Sequence, residues 1–233
     1  MQTFLSILIS ISLKLFYMLQ HSNIGVSTAG CLRKLVEEWE KHPKDYTLGH
    51  ILLTMFYTGE GSVSRAKLQR LLGLGEGSVK SMVKCMRKHG LLSTSASGSR
   101  LTNRGIEILK CVKLHIPELR KAYLEYLSVG RINYMAVLRG LDALDALKIR
   151  DMAVRFGGTG AVLLSIREGR FRIPYVADDL RNVSLRDHKE LSKTSPRDED
   201  YILVVGSENN SSALSAVGSI LFDLLIVKLK SKR

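Results

Sequence analysis

Between Ser78 and Lys88 the chain carries Ser78, Lys80, Ser81, Lys84, Arg87 and Lys88. Small hydroxyls followed by long cations suit a nucleic-acid duplex. A slim helix end can enter the major groove and read base edges, while Lys and Arg stems reach phosphates. Arg65 and Lys67 precede this run and Arg100 follows it. For such chemistry these side chains must stand outward, and the residues between them say how. Val79, Met82, Val83 and Met86 fall at i, i+3, i+4 and i+7, which predicts a helix over about 76–89 with that face inward. The serines and cations are thereby turned out. A solvated helix face is the plain alternative.

Charge points the same way. The 233 residues hold 35 Lys and Arg against 22 Asp and Glu, a net charge of +13. From Thr47 to Lys110, ten basic residues oppose only Glu60, Glu76 and Glu107, a net of +7. From Arg131 to Arg233 the counts are 17 and 13, a net of +4 over a longer stretch. A surplus concentrated in one segment is the pattern of a phosphate-binding surface. An apolar content of 45% argues against wholesale disorder. Cys31, Cys85 and Cys111 form no CxxC pair and have no His at metal-ligand spacing, so reduced thiols in a cytoplasm are expected, with no metal. The six histidines are isolated, and no Ser/His/Asp set, Cys/His set or HExxH motif occurs. No catalytic residue and no cofactor are expected.

Three helices must position the run. Thr47 to Tyr57 is almost wholly apolar, the character of a first helix buried under others. Ser64 is a good cap for a second helix, Arg65 to Leu72, with Ala66, Leu68, Leu71 and Leu72 expected inside. Gly73-Leu74-Gly75 makes the glycine-containing turn that helix-turn-helix units use. Upstream, Leu32, Leu35, Val36 and Trp39 predict an amphipathic helix over Cys31–Lys41, stopped by His42-Pro43. Downstream, Gly90-Leu91-Leu92 opens a strand, Ser97-Gly98 supplies a turn, Arg100-Leu101-Thr102 returns, and Thr102 caps a last helix from Asn103 through Ile108. This run, GLLSTSASGSRLTNRGIEIL, resembles the wing of the winged-helix regulators, where GLL…LTxxG is common. The resemblance implies that Arg100 contacts backbone or minor groove.

Residues 113–130 read as a linker helix, Pro117 to Leu127, whose Leu119, Tyr123, Tyr126 and Leu127 serve as core or as a dimer seam. Beyond it the period changes. Strands are expected at Ile132–Leu138, Ala161–Ile166, Phe171–Val176 and Tyr201–Val205, and helices at Leu141–Phe156, within 177–200, and at Ala213–Leu229. That order, β-α-β-β-α-β-α, is a small α/β sandwich, and the fold class expected for the whole chain is α+β. Gly157-Gly158-Thr159-Gly160 precedes a strand, so it reads as a structural turn rather than a phosphate cradle. Gly206, Ser207, Asn209 and Ser211 stand between a strand and a helix N-terminus, where capping explains most of the pattern and a small anion is the alternative. Arg150-Asp151 reads as a surface ion pair rather than part of a site.

Ile149-Arg150-Asp151 with Ala153, Gly157 and Gly160-Ala161, and Val204-Val205-Gly206 ahead of the small-residue helix 213–218 resemble a family of small archaeal proteins. Those proteins join an N-terminal winged helix to a C-terminal domain of unknown function. The resemblance runs from Thr47 to about Leu225 and implies a regulator-like architecture, with no known ligand or reaction. The apolar stretch Phe4–Leu19 departs from that family and is short of the roughly 20 apolar residues a spanning helix needs. An over-extended gene start, a buried or dimer-forming helix and a membrane anchor are the three readings, and membrane association is the least expected. The division expected is 1–30 apolar segment, 31–112 winged helix, 113–130 linker, and 131–233 dimerisation or effector domain. The expected function is a homodimeric, cytoplasmic transcriptional regulator of double-stranded DNA, with a small-molecule effector. The alternatives are an enzyme with an appended winged helix and a winged helix used for protein contacts.

Overall fold

The computed structural model describes residues 45–141 and 144–231, with side-chain surroundings through Leu225. The apolar N-terminal stretch, Cys31 and the helix expected over Cys31–Lys41 lie outside the described residues. What is described is a mixed α+β chain of seven α-helices and two antiparallel sheets.

Helix α1 (Leu48–Gly59) begins with a reciprocal cap: the Thr47 hydroxyl accepts from the His50 N–H, and His50 Nδ1 accepts from the Thr47 N–H at 3.0 Å. Gly49 through Met55 are all buried. Thr54 and Thr58 tolerate this burial because their hydroxyls donate to the carbonyls four residues back, at 2.7 and 2.6 Å. Helix α2 (Arg65–Leu72) is capped by Ser64, buries Leu68 and Leu72, and ends at Gly73, whose φ of 65° is left-handed. Ala66 was expected inside with them and is exposed instead. Two positions before Leu68 lies about 200° around a helix, so an inward Leu68 turns Ala66 out.

Helix α3 (Glu76–Lys88) buries Val79, Met82, Val83, Cys85 and Met86. Strands β1 (Leu92–Ser95) and β2 (Gly98–Leu101) form an antiparallel hairpin with Leu92 opposite Leu101 and Ser93 opposite Arg100. Ala96-Ser97 make its turn, and Gly98, at φ 121°, opens the return strand rather than closing the turn. The hairpin does not stand alone: Val63 bridges Ser99 with two 2.8 Å backbone hydrogen bonds, and Ser62 Oγ donates to the Ser97 carbonyl at 2.9 Å. Thr102 then caps α4 (Asn103–His115), which runs two turns beyond the expected end.

The linker helix expected over Pro117–Leu127 is a strand, β3 (Glu118–Ala122), paired with β4 (Ile132–Leu138). The apolar spacing that suggested a helix misled, since Tyr123 and Tyr126 are exposed, while Leu119 and Ala122 face opposite sides of the sheet. Pairing with β4 overrides local period, as sheet partners commonly do. The remaining elements follow the expected order: α5 (Ala146–Arg155), β5 (Gly160–Arg167), β6 (Arg170–Arg172), a 3-10 turn at Leu180–Asn182, α6 (Leu185–Leu191), β7 (Tyr201–Ser207) and α7 (Asn210–Ser231). The sheet order is β3-β4-β7-β5-β6, antiparallel throughout.

Both faces of this sheet are covered, which is why its strands read as unbroken apolar runs. Tyr134, Ala136, Leu138, Leu163, Leu203 and Val205 face α7 and the helical unit. Met135, Val137, Leu164, Ile166, Ile202 and Val204 face the opposite side, under Phe171, Ile173, Leu180 and Leu191. Helix α7 is buried on nearly all sides from Ala213 to Leu225, because the sheet lies on one flank and α1 on the other. Among the described residues no helix is long and apolar enough to cross a membrane.

Candidate nucleic-acid interface

The packing of α3 decides which of its side chains can meet a partner. With its Val/Met stripe fixed inward, Lys80, Ser81, Lys84, Arg87 and Lys88 are exposed, and Ser78 is half-buried at the edge of the stripe. Arg65 and Lys67, in the first turn of α2, are exposed as well. Arg100 is exposed between the buried Ser99 and Leu101, so the β2 register itself aims it outward. All nine residues singled out for DNA contact thus keep surface, Ser78 least.

Two cations that sequence reading counted but did not place belong beside them. Arg70 is exposed at the last turn of α2. Arg104 is exposed at the start of α4, and a Cβ added to Gly90 would lie 3.9 Å from its Cδ, so Arg104 lies over the turn joining α3 to β1. Only the fold brings Arg104 there; its position 16 residues after Lys88 carried no signal.

Electrostatically, this segment differs from the rest. The ion pairs formed between described residues all fall between Glu118 and Asp200: Arg120 with Glu118 and Glu190, Arg139 with Asp200, Arg172 with Asp178, Arg181 with Asp179 and others. Arg65, Lys67, Arg70, Lys80, Lys84, Arg87, Arg100 and Arg104 enter no ion pair with another described residue. Arg120, Arg139, Arg172 and Arg181 are answered within the sheet domain, whereas the eight cations just named are exposed and have no such partner among the described residues. Glu190 shows the contrast: burial pushes its carboxyl up, but hydrogen bonds from Lys193, Arg120 and the Tyr123 N–H outweigh that and hold it near a pKa of about 2.

Segment 206–211, the candidate anion site, has protein partners for its polar groups. Gly206 is wedged against Gly130 and Asn133; a Cβ there would sit 2.6 Å from Asn133 Oδ1. Ser207 Oγ is buried and donates to the Gly157 carbonyl at 3.2 Å. Asn209 caps α7, its Oδ1 accepting from the Ser212 N–H at 2.9 Å. Ser211 Oγ reaches the Leu72 and Gly73 carbonyls at 3.5 and 3.4 Å, so it packs the start of α7 onto the turn between α2 and α3. A cleft of about 480 Å³ lies elsewhere, lined by Tyr123, Arg186, Lys189, Glu190 and Lys193. Arg150 and Asp151, expected as an ion pair, are both exposed and form none with each other or with any other described residue. Among the described residues no three His, Cys, Asp or Glu side chains gather to hold a metal ion.

Comparison with known proteins adds fold but not activity. No curated protein matches the chain. A solved structure of hypothetical protein PH0730 from Pyrococcus horikoshii OT3 matches at a TM-score of 0.67 and 20% identity, over 79% of this chain and 100% of that one. The expected resemblance to archaeal proteins therefore holds as a likeness of fold to an archaeal hypothetical protein. Over residues 129–224, from the turn before β4 into α7, the chain matches the model of a domain of unknown function (DUF4443).

Proposed function

We propose that the protein is a cytoplasmic, homodimeric DNA-binding transcriptional regulator. In this reading residues 47–110 are a winged helix, α3 is the recognition helix, and the β1–β2 hairpin is the wing. The C-terminal sheet domain supplies dimerisation and effector sensing. The observation that carries the reading is the exposed set Arg65, Lys67, Arg70, Lys80, Lys84, Arg87 and Arg100, which enters no ion pair with another described residue, whereas Arg120, Arg139, Arg172 and Arg181 of the C-terminal half are paired within the fold. Unneutralised cations on an exposed helix face are what phosphate contact with counterion release requires. On this reading Ser81, exposed between Lys80 and Lys84, reads base edges, with the half-buried Ser78 beside it.

The test is recovery of genomic fragments bound by the purified full chain, followed by affinity measurement on the recovered site and on unrelated duplex at one salt concentration. A regulator binds its own site about 10³-fold or more tightly. Equal affinity for both duplexes, or no recovered fragment, removes the regulatory reading and leaves a winged helix for protein contacts.

A further inference from the structure

The outer stripe of α5 has no role in the interface described above. Its inner stripe, Ile149 and Ala153, is 2% and 0% exposed, and the helix packs on β5 and α7. Asp145 caps it by accepting from the Leu147 and Lys148 N–H groups at 3.0 and 3.2 Å. So held, the helix cannot roll, and Leu147, Arg150, Asp151 and Val154 stand outward at i, i+3, i+4 and i+7. Leu147 is 69% exposed and Val154 54%. A single exposed apolar residue is ordinary. Here two of them bracket an exposed Arg-Asp dipeptide without ion-pair partners among the described residues.

We infer that this stripe is a two-fold interface with a second copy of the chain, α5 packing antiparallel on the partner's α5. The spacing is self-complementary. An antiparallel helix pair with its dyad between positions 150 and 151 matches each residue to the one equally far on the other side. Leu147 then meets the partner's Val154, and Arg150 meets the partner's Asp151, each contact occurring twice. An in-register parallel pairing sets like charges together, and an antiparallel pairing shifted by one turn sets an apolar group against a charge. The symmetry thus supplies the ion-pair partners that the monomer lacks, and a pair flanked by apolar contacts is less screened than an isolated surface pair. Helices of this length bury less than the roughly 1,600 Å² of a standard stable interface, so association belongs in the micromolar range. The inference names the dimer surface of the proposed regulator and does not itself depend on DNA.

Sedimentation of the full chain between about 1 and 100 μM tests it, with chain concentrations centred on the micromolar association expected for so small an interface. The wild type should show a concentration-dependent monomer–dimer equilibrium. Arg150→Asp and Asp151→Arg singly turn two attractions into two repulsions and should each weaken association about ten-fold. The swap Arg150→Asp with Asp151→Arg restores opposite charges across the dyad and should return it to within about three-fold of wild type. A merely structural role would give no such rescue. In Leu147→Cys with Val154→Cys, the two thiols of one helix are about 10 Å apart along its axis and cannot bridge within a copy, so oxidation should link copies 147-to-154. A wild type monomeric throughout, single variants that dimerise like wild type, or a swap that fails to restore overturns the interface. Salt-dependent DNA binding that survives any of these results leaves the DNA reading standing, and a dimer that binds no DNA removes only that reading.

Discussion

His50 shows what burial does to a single titratable side chain in the first turn of α1. It is 4% exposed, its Nδ1 accepts from the Thr47 N–H, and the proton therefore sits on Nε2, which has no hydrogen-bond partner among the described residues. Burial alone pulls its pKa from 6.5 down to about 4. The unfolded chain takes up this proton near pH 6.5 and the folded chain only near 4. The stabilisation held above pH 6.5 is therefore lost as pH falls toward 4, by up to ~3 kcal/mol. Denaturant titrations at pH 7, 5.5 and 4 should show a steeper loss for wild type than for His50→Gln, whose amide oxygen can take over the Thr47 N–H. Parallel pH profiles would contradict this. From sequence His50 was one isolated histidine among six, and its burial was not visible in local pattern.

At the scale of elements, local signals carried most of the reading and failed where pairing partners decide. The caps Ser64 and Thr102, the 3.6-residue stripe of α3 and the apolar strands beyond Ile132 are short-range signals, and the elements formed where those signals lie, whereas the reciprocal cap of Thr47 with His50 was not read. Strand β3 was missed because its assignment comes from β4, and Val63 was missed because one residue tethering a hairpin has no periodicity. The helix pair α1–α7 is a further long-range feature. A Cβ at Gly49 would lie 2.3 Å from the Ser219 backbone N, and one at Gly218 would lie 2.9 Å from the Gly49 carbonyl oxygen. Contact at this range leaves room for no side chain, so Gly49→Ala should destabilise the chain by ~3 kcal/mol or more, through overpacking. In contrast, a Cβ at Gly77 in α3 meets nothing within 4 Å. Gly77→Ala should therefore stabilise by ~0.5–1 kcal/mol through helix propensity. Thermal unfolding checks both, and a Gly49→Ala chain as stable as wild type would mean that α1 and α7 are not in backbone contact.

For the whole molecule, the consequence is that the helix–hairpin unit and the sheet domain share one core. Tyr46, Ile51, Leu53 and Met82 belong to the same apolar cluster as Ala136, Leu203 and Ile220. Ser219 Oγ donates to Thr47 Oγ1 at 3.1 Å, and Ser211 packs on the α2–α3 turn. Charge surplus was legible as composition; which cations are paired required coordinates, since Arg120 and Glu190 lie 70 residues apart. The most direct measurement is the affinity of the full chain for random-sequence duplex as a function of salt. Wild type should lose affinity with a log–log slope of about −0.9 per phosphate contacted. Lys84→Ala with Arg100→Ala, both exposed and without an ion pair among the described residues, should weaken binding by ~1 kcal/mol each and make the slope shallower by about 2 units. A wild-type slope near zero, or a double variant indistinguishable from wild type, would contradict a phosphate-binding face built from α3 and the hairpin.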